Sequence, residues 1–381
     1  MEAREERLAA LTGLRFLAAL ALLLFHVGAA LAAHLPGALG RVQRGGFVWV
    51  SVFYVLSGFV LARAHPAPMP PAARRAFWTA RLARLYPAYL VGFLLSAPFA
   101  AERWVGAGPS GLARMAIVAA ASLLLVHAWA PPIARAWNAP GWSTSVVLSF
   151  YALFPFAAAR LGRLSRRWLL AAAAAAWVAA LAAPAAYALL RPEGAHPELL
   201  AREPPLLETL KFHPIFRAPE FLVGVALGLW HRRGGSLGRA APAAAALGVC
   251  GTIAAIAWGA LPYLPLHDGL LAPLSALAVL GLAEGRGLLA RGLASRPLRA
   301  LGDASFALYA IQEPLWRIAR AWPGSGAPPS PAFVAAFCAA AIGASLAVAR
   351  WVERPARRFI RARLAAASVP SGERLAERAR G

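Results

Sequence analysis

Charge is what this 381-residue sequence has least of: 14% of its residues are charged, against 60% that are hydrophobic. Soluble domains carry about 25% charged and about 45–50% apolar residues, so this balance excludes an ordinary water-soluble globule and places the chain in the membrane class. Cysteine is nearly absent too. The two present, Cys250 and Cys338, both lie within apolar runs, which argues against a disulfide framework and a cysteine-based metal site. There is no Gly-rich phosphate loop, no His-Glu-x-x-His pair, no paired-aspartate motif and no Gly-x-Ser-x-Gly elbow. A nucleotide-driven pump and a membrane metalloprotease therefore lack their chemistry, and no metal is expected. Acids are scarce as well, 16 against 39 Lys and Arg, for a net charge of +23. In a soluble chain that excess would point to nucleic acid. Here the arginines stand in loops between apolar runs, where topology and anionic membrane lipids account for them, and no nucleic-acid partner is expected.

What is present is apolar sequence in helix-sized pieces. A bilayer core takes roughly 20 apolar residues to cross. Eleven segments qualify as candidates: 9–33, 46–62, 85–101, 113–130, 142–159, 168–190, 215–231, 241–261, 268–284, 303–322 and 331–352. The connections leave no room for a separate soluble domain, so the sequence predicts one transmembrane domain over 1–360 and a basic cytoplasmic tail over 361–381. The run from Phe16 to Ala33 exceeds the 7–15 residues of a typical signal-peptide core, which favours a retained first helix.

Arginine clusters mark one side. They fall at Arg63 to Arg84, Arg160 to Arg167, His231 to Arg239, Arg286 to Arg299, and from Arg350 onward, while the loops at 34–45, 191–214, 262–267 and 323–331 are less basic. The alternation puts both termini in the cytoplasm, with the chain in the inner (plasma) membrane. Three apolar segments, 85–101, 113–130 and 142–159, lie between two basic loops that both belong inside. Only two of them can cross. The fold expected is an all-α polytopic bundle of about ten crossings with one re-entrant or interfacial segment.

Polar residues inside the apolar runs call for a separate reading. In "LTGLRFLAALALLLFH", Leu11 to His26, Arg15 and His26 are eleven positions apart, or about 1100° of helix, within roughly 20° of three turns. They share one face, about 16 Å apart along the axis. Ionisable residues at such depth normally face a bundle interior or a wet path, although snorkelling of Arg15 and a structural hydrogen bond of His26 stay open. "RLARLYPAY" sets Arg81 and Arg84 on one face, a pair of forks suited to phosphate that positive-inside bias alone would also place there. "FHPIFRAPEF" puts His213, Arg217 and Glu220 at a helix entry, where dipole compensation is the plain role for Glu220. "SFALYAIQEPLW" buries Gln312 and Glu313 ahead of Pro314, and a carboxylate at that depth is a candidate functional group.

Taken in order, these motifs resemble the acyltransferase 3 family of integral-membrane acyltransferases. The first-helix run resembles that family's arginine, ten residues, then histidine. "VSVFYVLSGFVL" (Val50 to Leu61) is similar to its second-helix block, and "RLARLYP" to its Arg-x-x-Arg followed by Tyr-Pro. "PGWSTSVVLSFYALFP", "FRAPEFLVGVALG", "LGDASFALYAIQEPL" and "WVERPARR" continue the series, so the similarity runs from residue 8 to residue 360. The resemblance implies transfer of an acyl group, usually acetyl or succinyl, from cytoplasmic acyl-CoA to a hydroxyl of a sugar or other glycoconjugate. It implies Arg15, Arg81 and Arg84 at the CoA phosphates and His26 as general base. Three positions depart from it. Ser51 stands at a common aspartate, Val147 at a common glutamate and Gln312 at a common histidine. Glu313 or Glu220 is then the acid expected to orient His26. Three readings remain: a divergent active enzyme, a degenerate member without catalysis, and a glycan or lipid translocator on the same scaffold.

Overall fold

The computed structural model describes residues 8–28, 31, 34–194, 203–321 and 329–368, and among these every regular element is a helix. Eleven principal helices correspond to the eleven apolar segments. In chain order they are α1 (Ala9–His26), α2 (Trp49–Ala64), α3 (Pro71–Val105), α4 (Gly108–Leu123), α5 (Trp142–Leu161), α6 (Arg166–Leu190), α7 (Pro214–Arg232), α8 (Ala241–Trp258), α9 (Ala272–Ala283), α10 (Ser305–Ala321) and α11 (Pro331–Val348). Proline at the first helical position opens α3, α7 and α11, where its missing N–H costs nothing. Ser330 Oγ caps α11 by accepting from Phe333 N at 3.2 Å.

Eight helical stretches are long and apolar enough to cross a membrane. The two that fall short of the expected ten are α7, which carries Arg217 and Glu220, and α10, which has 17 residues and carries Glu313 and Arg317. Neither is peripheral. α7 packs along α2 and α6 at the centre of the bundle, and α10 lies against α1, α3 and α11. Their ionisable residues are paired, Arg217 with Glu220 and Asp268 inside the bundle and Glu313 with the exposed Arg317.

Segment 113–130 is the one that turns back. α3 is 35 residues long, about 52 Å at 1.5 Å per residue, well beyond the roughly 30 Å of a hydrocarbon core. α4 returns along it for only 16 residues. Its end is held half-way along α3, where Tyr86 donates to Leu123 O at 3.1 Å and Tyr89 to Ser122 O at 2.8 Å. Short 3₁₀ turns at His127–Trp129, Pro131–Ile133 and Ala139–Gly141 then lead into α5. Irregular backbone at that depth needs internal partners, and it has them. Ser145 Oγ donates to Leu125 O at 2.6 Å, and Asn138 Nδ2 donates to Ala310 O at 3.0 Å.

Three basic loops expected on one side do meet. Arg63 Nη1 lies 2.6 Å from His231 Nδ1, Arg232 donates to His65 O, and Arg233 donates to Gly162 O and Leu164 O. The boundary expected at residue 360 falls inside a helix, Arg354–Ser368, which follows α11 after a π-turn at Ala349–Glu353. The rest of the tail, 369–381, lies outside the described residues, as do 195–202 and 322–328 of the loops expected on the opposite side.

α2 and α7 touch backbone to backbone. A Cβ at Gly58 would lie 2.2 Å from Phe221 O, and one at Gly224 would lie 2.0 Å from Val55 O. Small residues at both crossings are what allow that approach. Gly224→Val is therefore expected to lower the Tm of the detergent-solubilised protein, at the upper end of the about 1–3 kcal/mol typical of overpacking. A wild-type Tm would show that the two helices do not meet there.

Candidate active site

A cavity of about 1040 Å³ opens where α1, α2, α3, α5 and α10 converge. On α1 its lining runs from Leu8 to Leu22, about 21 Å along the axis. The two ends differ in chemistry. One is lined by Arg15, Arg63, Arg81 and Arg84, to which the short helix Arg296–Asp303 adds Arg296 and Arg299, and Arg354 completes the rim. Asp303 is the one carboxylate in the lining. Seven guanidinium groups around one space repel one another, and a polyanion relieves that repulsion while taking the planar forks pairwise. The hydroxyl-bearing residues Tyr54, Ser143, Thr144 and Tyr309 line the other end.

The three arginines singled out by sequence, Arg15, Arg81 and Arg84, thus come together in one cavity, and sequence reading missed the other four. The sequence places Arg296 and Arg299 in a basic loop. Only the packing of their helix against α1, where a Cβ at Gly302 would fall 2.0 Å from Thr12 O, turns them toward Arg15.

His26 ends α1 one turn past Leu22, the last cavity-lining residue of that helix, and is itself half-buried and outside the lining. Its Nδ1 lies 2.7 Å from Leu22 O and 3.2 Å from the Gln312 side-chain amide. A carbonyl oxygen only accepts, so Nδ1 carries the proton and Nε2 keeps its lone pair. Turning the Gln312 amide over would place Oε1, otherwise without a partner, on the same N–H.

The two acids expected at the ring are elsewhere. Glu313 Oε1 pairs with Arg317, one turn further along α10, so it is Gln312 that this helix brings to His26. Glu220 Oε2 lies 2.9 Å from Arg217 in a separate, fully buried cluster. There Arg217 also pairs with Asp268, donates to His267 O at 2.7 Å and to Ser51 Oγ at 3.3 Å, and stacks over the Tyr54 ring at 5.3 Å. His213, from the same sequence block, stays out of the cluster and caps α7, accepting from Ile215 N at 3.3 Å. Ser51 accepts from the same guanidinium that Asp268 pairs with. Val147 puts an alkyl group into the cavity lining. Among the described residues, no group of three His, Cys, Asp or Glu side chains is arranged to hold a metal ion.

The chain matches the profile of a family described as an acyltransferase domain over residues 8–350. It is 31% identical over 405 aligned residues to the acyltransferase MdmB of Streptomyces mycarofaciens, with 97% of each chain covered. No solved structure matches it.

Proposed function

The chain belongs to the acyltransferase 3 family of membrane acyltransferases, and from that premise we propose that it carries an acyl group from cytoplasmic acyl-CoA to a hydroxyl of a sugar or other glycoconjugate. The observation that carries this reading is the single cavity with seven arginines at one end and hydroxyls beside the His26–Gln312 contact at the other. A CoA donor is a polyphosphate joined to a long, flexible, uncharged arm that ends in a thioester. Arg15, Arg81, Arg84, Arg296 and Arg299 take the phosphates, and the arm lies along α1 toward Leu22. The arginine mouth faces the cytoplasm of the plasma membrane, and both termini lie on that side. The acyl group of this reading is acetyl.

His26 removes the proton. Its Nε2 takes it from the acceptor hydroxyl, the hydroxyl oxygen attacks the thioester carbon, the C–S bond breaks, and the imidazolium returns the proton to the departing thiolate. The products are an ester and CoA. No carboxylate is needed to fix the tautomer, because the Leu22 carbonyl already holds the Nδ1 proton. This is how the chain works with Val147 and Ser51 at positions where the family commonly has acids.

Donor binding tests the arginine end. Arg84→Lys keeps the charge and loses the fork, and a lost charge-assisted hydrogen bond of about 1.5–3 kcal/mol weakens CoA binding at least tenfold in detergent. The same substitution at Arg81 has the same direction. Unchanged Kd values in both would reject the phosphate assignment. A degenerate member is the second reading, favoured only by the alkyl lining at Val147. A wild-type protein that binds acyl-CoA and transfers to no glycoconjugate acceptor would establish it.

A further inference from the structure

The hydroxyl end of the cavity contains groups that proton transfer does not use. Tyr54 is 1% exposed, its hydroxyl has no hydrogen-bond partner, and it lines the cavity. A buried hydroxyl left unpaired costs stability, so a protein that keeps one at the wall of a cavity is aiming it at something that arrives there. The surroundings of this phenol fix its direction. The Arg217 guanidinium lies over one face of the ring at 5.3 Å, and Phe150 packs edge-on at 5.0 Å. The two contacts hold the ring, and with it the line along which the hydroxyl points.

Ser143, in the first turn of α5, lines the same end. Its Oγ lies 2.7 Å from Tyr309 Oη, which in turn lies 2.9 Å from Pro140 O. The proton order along these hydroxyls has two settings. In one, Ser143 donates to Tyr309 and Tyr309 donates to Pro140 O. In the other, Tyr309 donates to Ser143, whose own hydrogen keeps only a long 3.3 Å contact with Pro140 O and can turn to a better acceptor in the cavity without any heavy atom moving. Tyr309 precedes Gln312 by three residues on α10, so these hydroxyls stand one helical turn from the His26–Gln312 contact.

We propose that the Tyr54 and Ser143 hydroxyls hold the thioester carbonyl oxygen and stabilise the oxyanion that forms on it, with Tyr309 as a positioning residue behind Ser143. The proposal rests on the acyl-CoA reading above. As the acceptor oxygen bonds to the carbonyl carbon, the C=O electron pair moves onto oxygen, where both hydroxyls donate to it. When the C–S bond breaks that pair returns, and no proton passes between the hydroxyls and the substrate. Tyr54→Phe removes one oxygen and leaves the ring on Phe150 and Arg217, so folding is preserved. Loss of one such donor lowers kcat by about 10²–10³-fold and leaves the donor KM nearly unchanged.

The test uses the full-length protein in detergent with acetyl-CoA carrying ¹³C at the carbonyl. Infrared difference spectra of the bound donor report hydrogen bonding to the carbonyl, which a merely structural role would not alter. The expected result is a carbonyl stretch lowered in the wild type and raised toward the free value in Tyr54→Phe and Ser143→Ala, each with the kcat loss given above. Tyr309→Phe should fall between, and Ser143→Thr, which keeps a hydroxyl, should recover most of the rate. An unshifted carbonyl in a wild type that binds and transfers would overturn the proposal, as would wild-type kcat in both Tyr54→Phe and Ser143→Ala. Failure of the wild type to bind acetyl-CoA would instead overturn the donor assignment on which it rests.

Discussion

His26→Ala is expected to lower the transfer rate by about 10²–10⁴-fold, to below detection in most assays, while donor affinity and Tm stay at their wild-type values. The expectation follows from how the ring is held. Nδ1 is committed to Leu22 O at 2.7 Å, so Nε2 is the nitrogen able to accept a proton. Removing the ring deletes the base without touching the arginines, which begin more than two turns back along α1 at Arg15. Glu313→Gln is the informative partner. Its carboxylate pairs with Arg317 rather than with His26, so the rate should stay near wild type. Gln312→Ala removes the only side chain that contacts the ring nitrogen in the described structure, and a partial loss is expected. Undiminished transfer by a well-expressed His26→Ala protein would reject the base assignment. A collapse in Glu313→Gln with normal Tm would return the orienting role to that acid.

These expectations also mark what was legible in the sequence. The shared face of Arg15 and His26 could be read because helical periodicity is local: eleven residues fix the angle wherever the helix ends up. The basic loops could be read for the same reason, since charge bias needs no tertiary contact, and so could the failure of one middle segment to cross. Which segment fails depends on Tyr86 and Tyr89 catching the end of α4, a contact between helices that no local pattern records. Counting crossings by apolarity likewise undervalues α7 and α10, because their ionisable residues are matched by partners, within the helix for Glu313 and Glu220 and across the bundle for Arg217 with Asp268. Glu313 drew attention as a carboxylate in an apolar helix. Its partner Arg317, four residues on, was in plain view as an ordinary helical ion pair. Asp268 was missed for the opposite reason. It sits at the edge of an apolar segment, where an acid reads as a loop residue, yet it is 1% exposed and pairs with Arg217, fifty-one positions away in sequence.

Arg217→Met is expected to be the most damaging substitution for stability. Arg217 is fully buried between Glu220 and Asp268, and removing it leaves both carboxylates in a low-dielectric core without the cation they pair with. Breaking a buried pair by deleting one partner costs about 3–5 kcal/mol, and here one cation serves two anions. The expected outcome is poor insertion and a much lower Tm. The triple variant Arg217→Met, Glu220→Gln, Asp268→Asn removes the stranded charges and should recover most of that loss, since a buried ion cluster replaced by neutral groups of similar volume is often close to neutral. Stability and rate should then separate. Tyr54 in the triple variant has lost the guanidinium that holds its ring, so its hydroxyl is less well placed and kcat stays low although the protein is folded. An Arg217→Met protein as stable as the wild type would mean that the two acids are neutral or hydrated. A triple variant with both Tm and rate restored would mean that the cluster serves the fold alone, and that Tyr54 does its work without the cation.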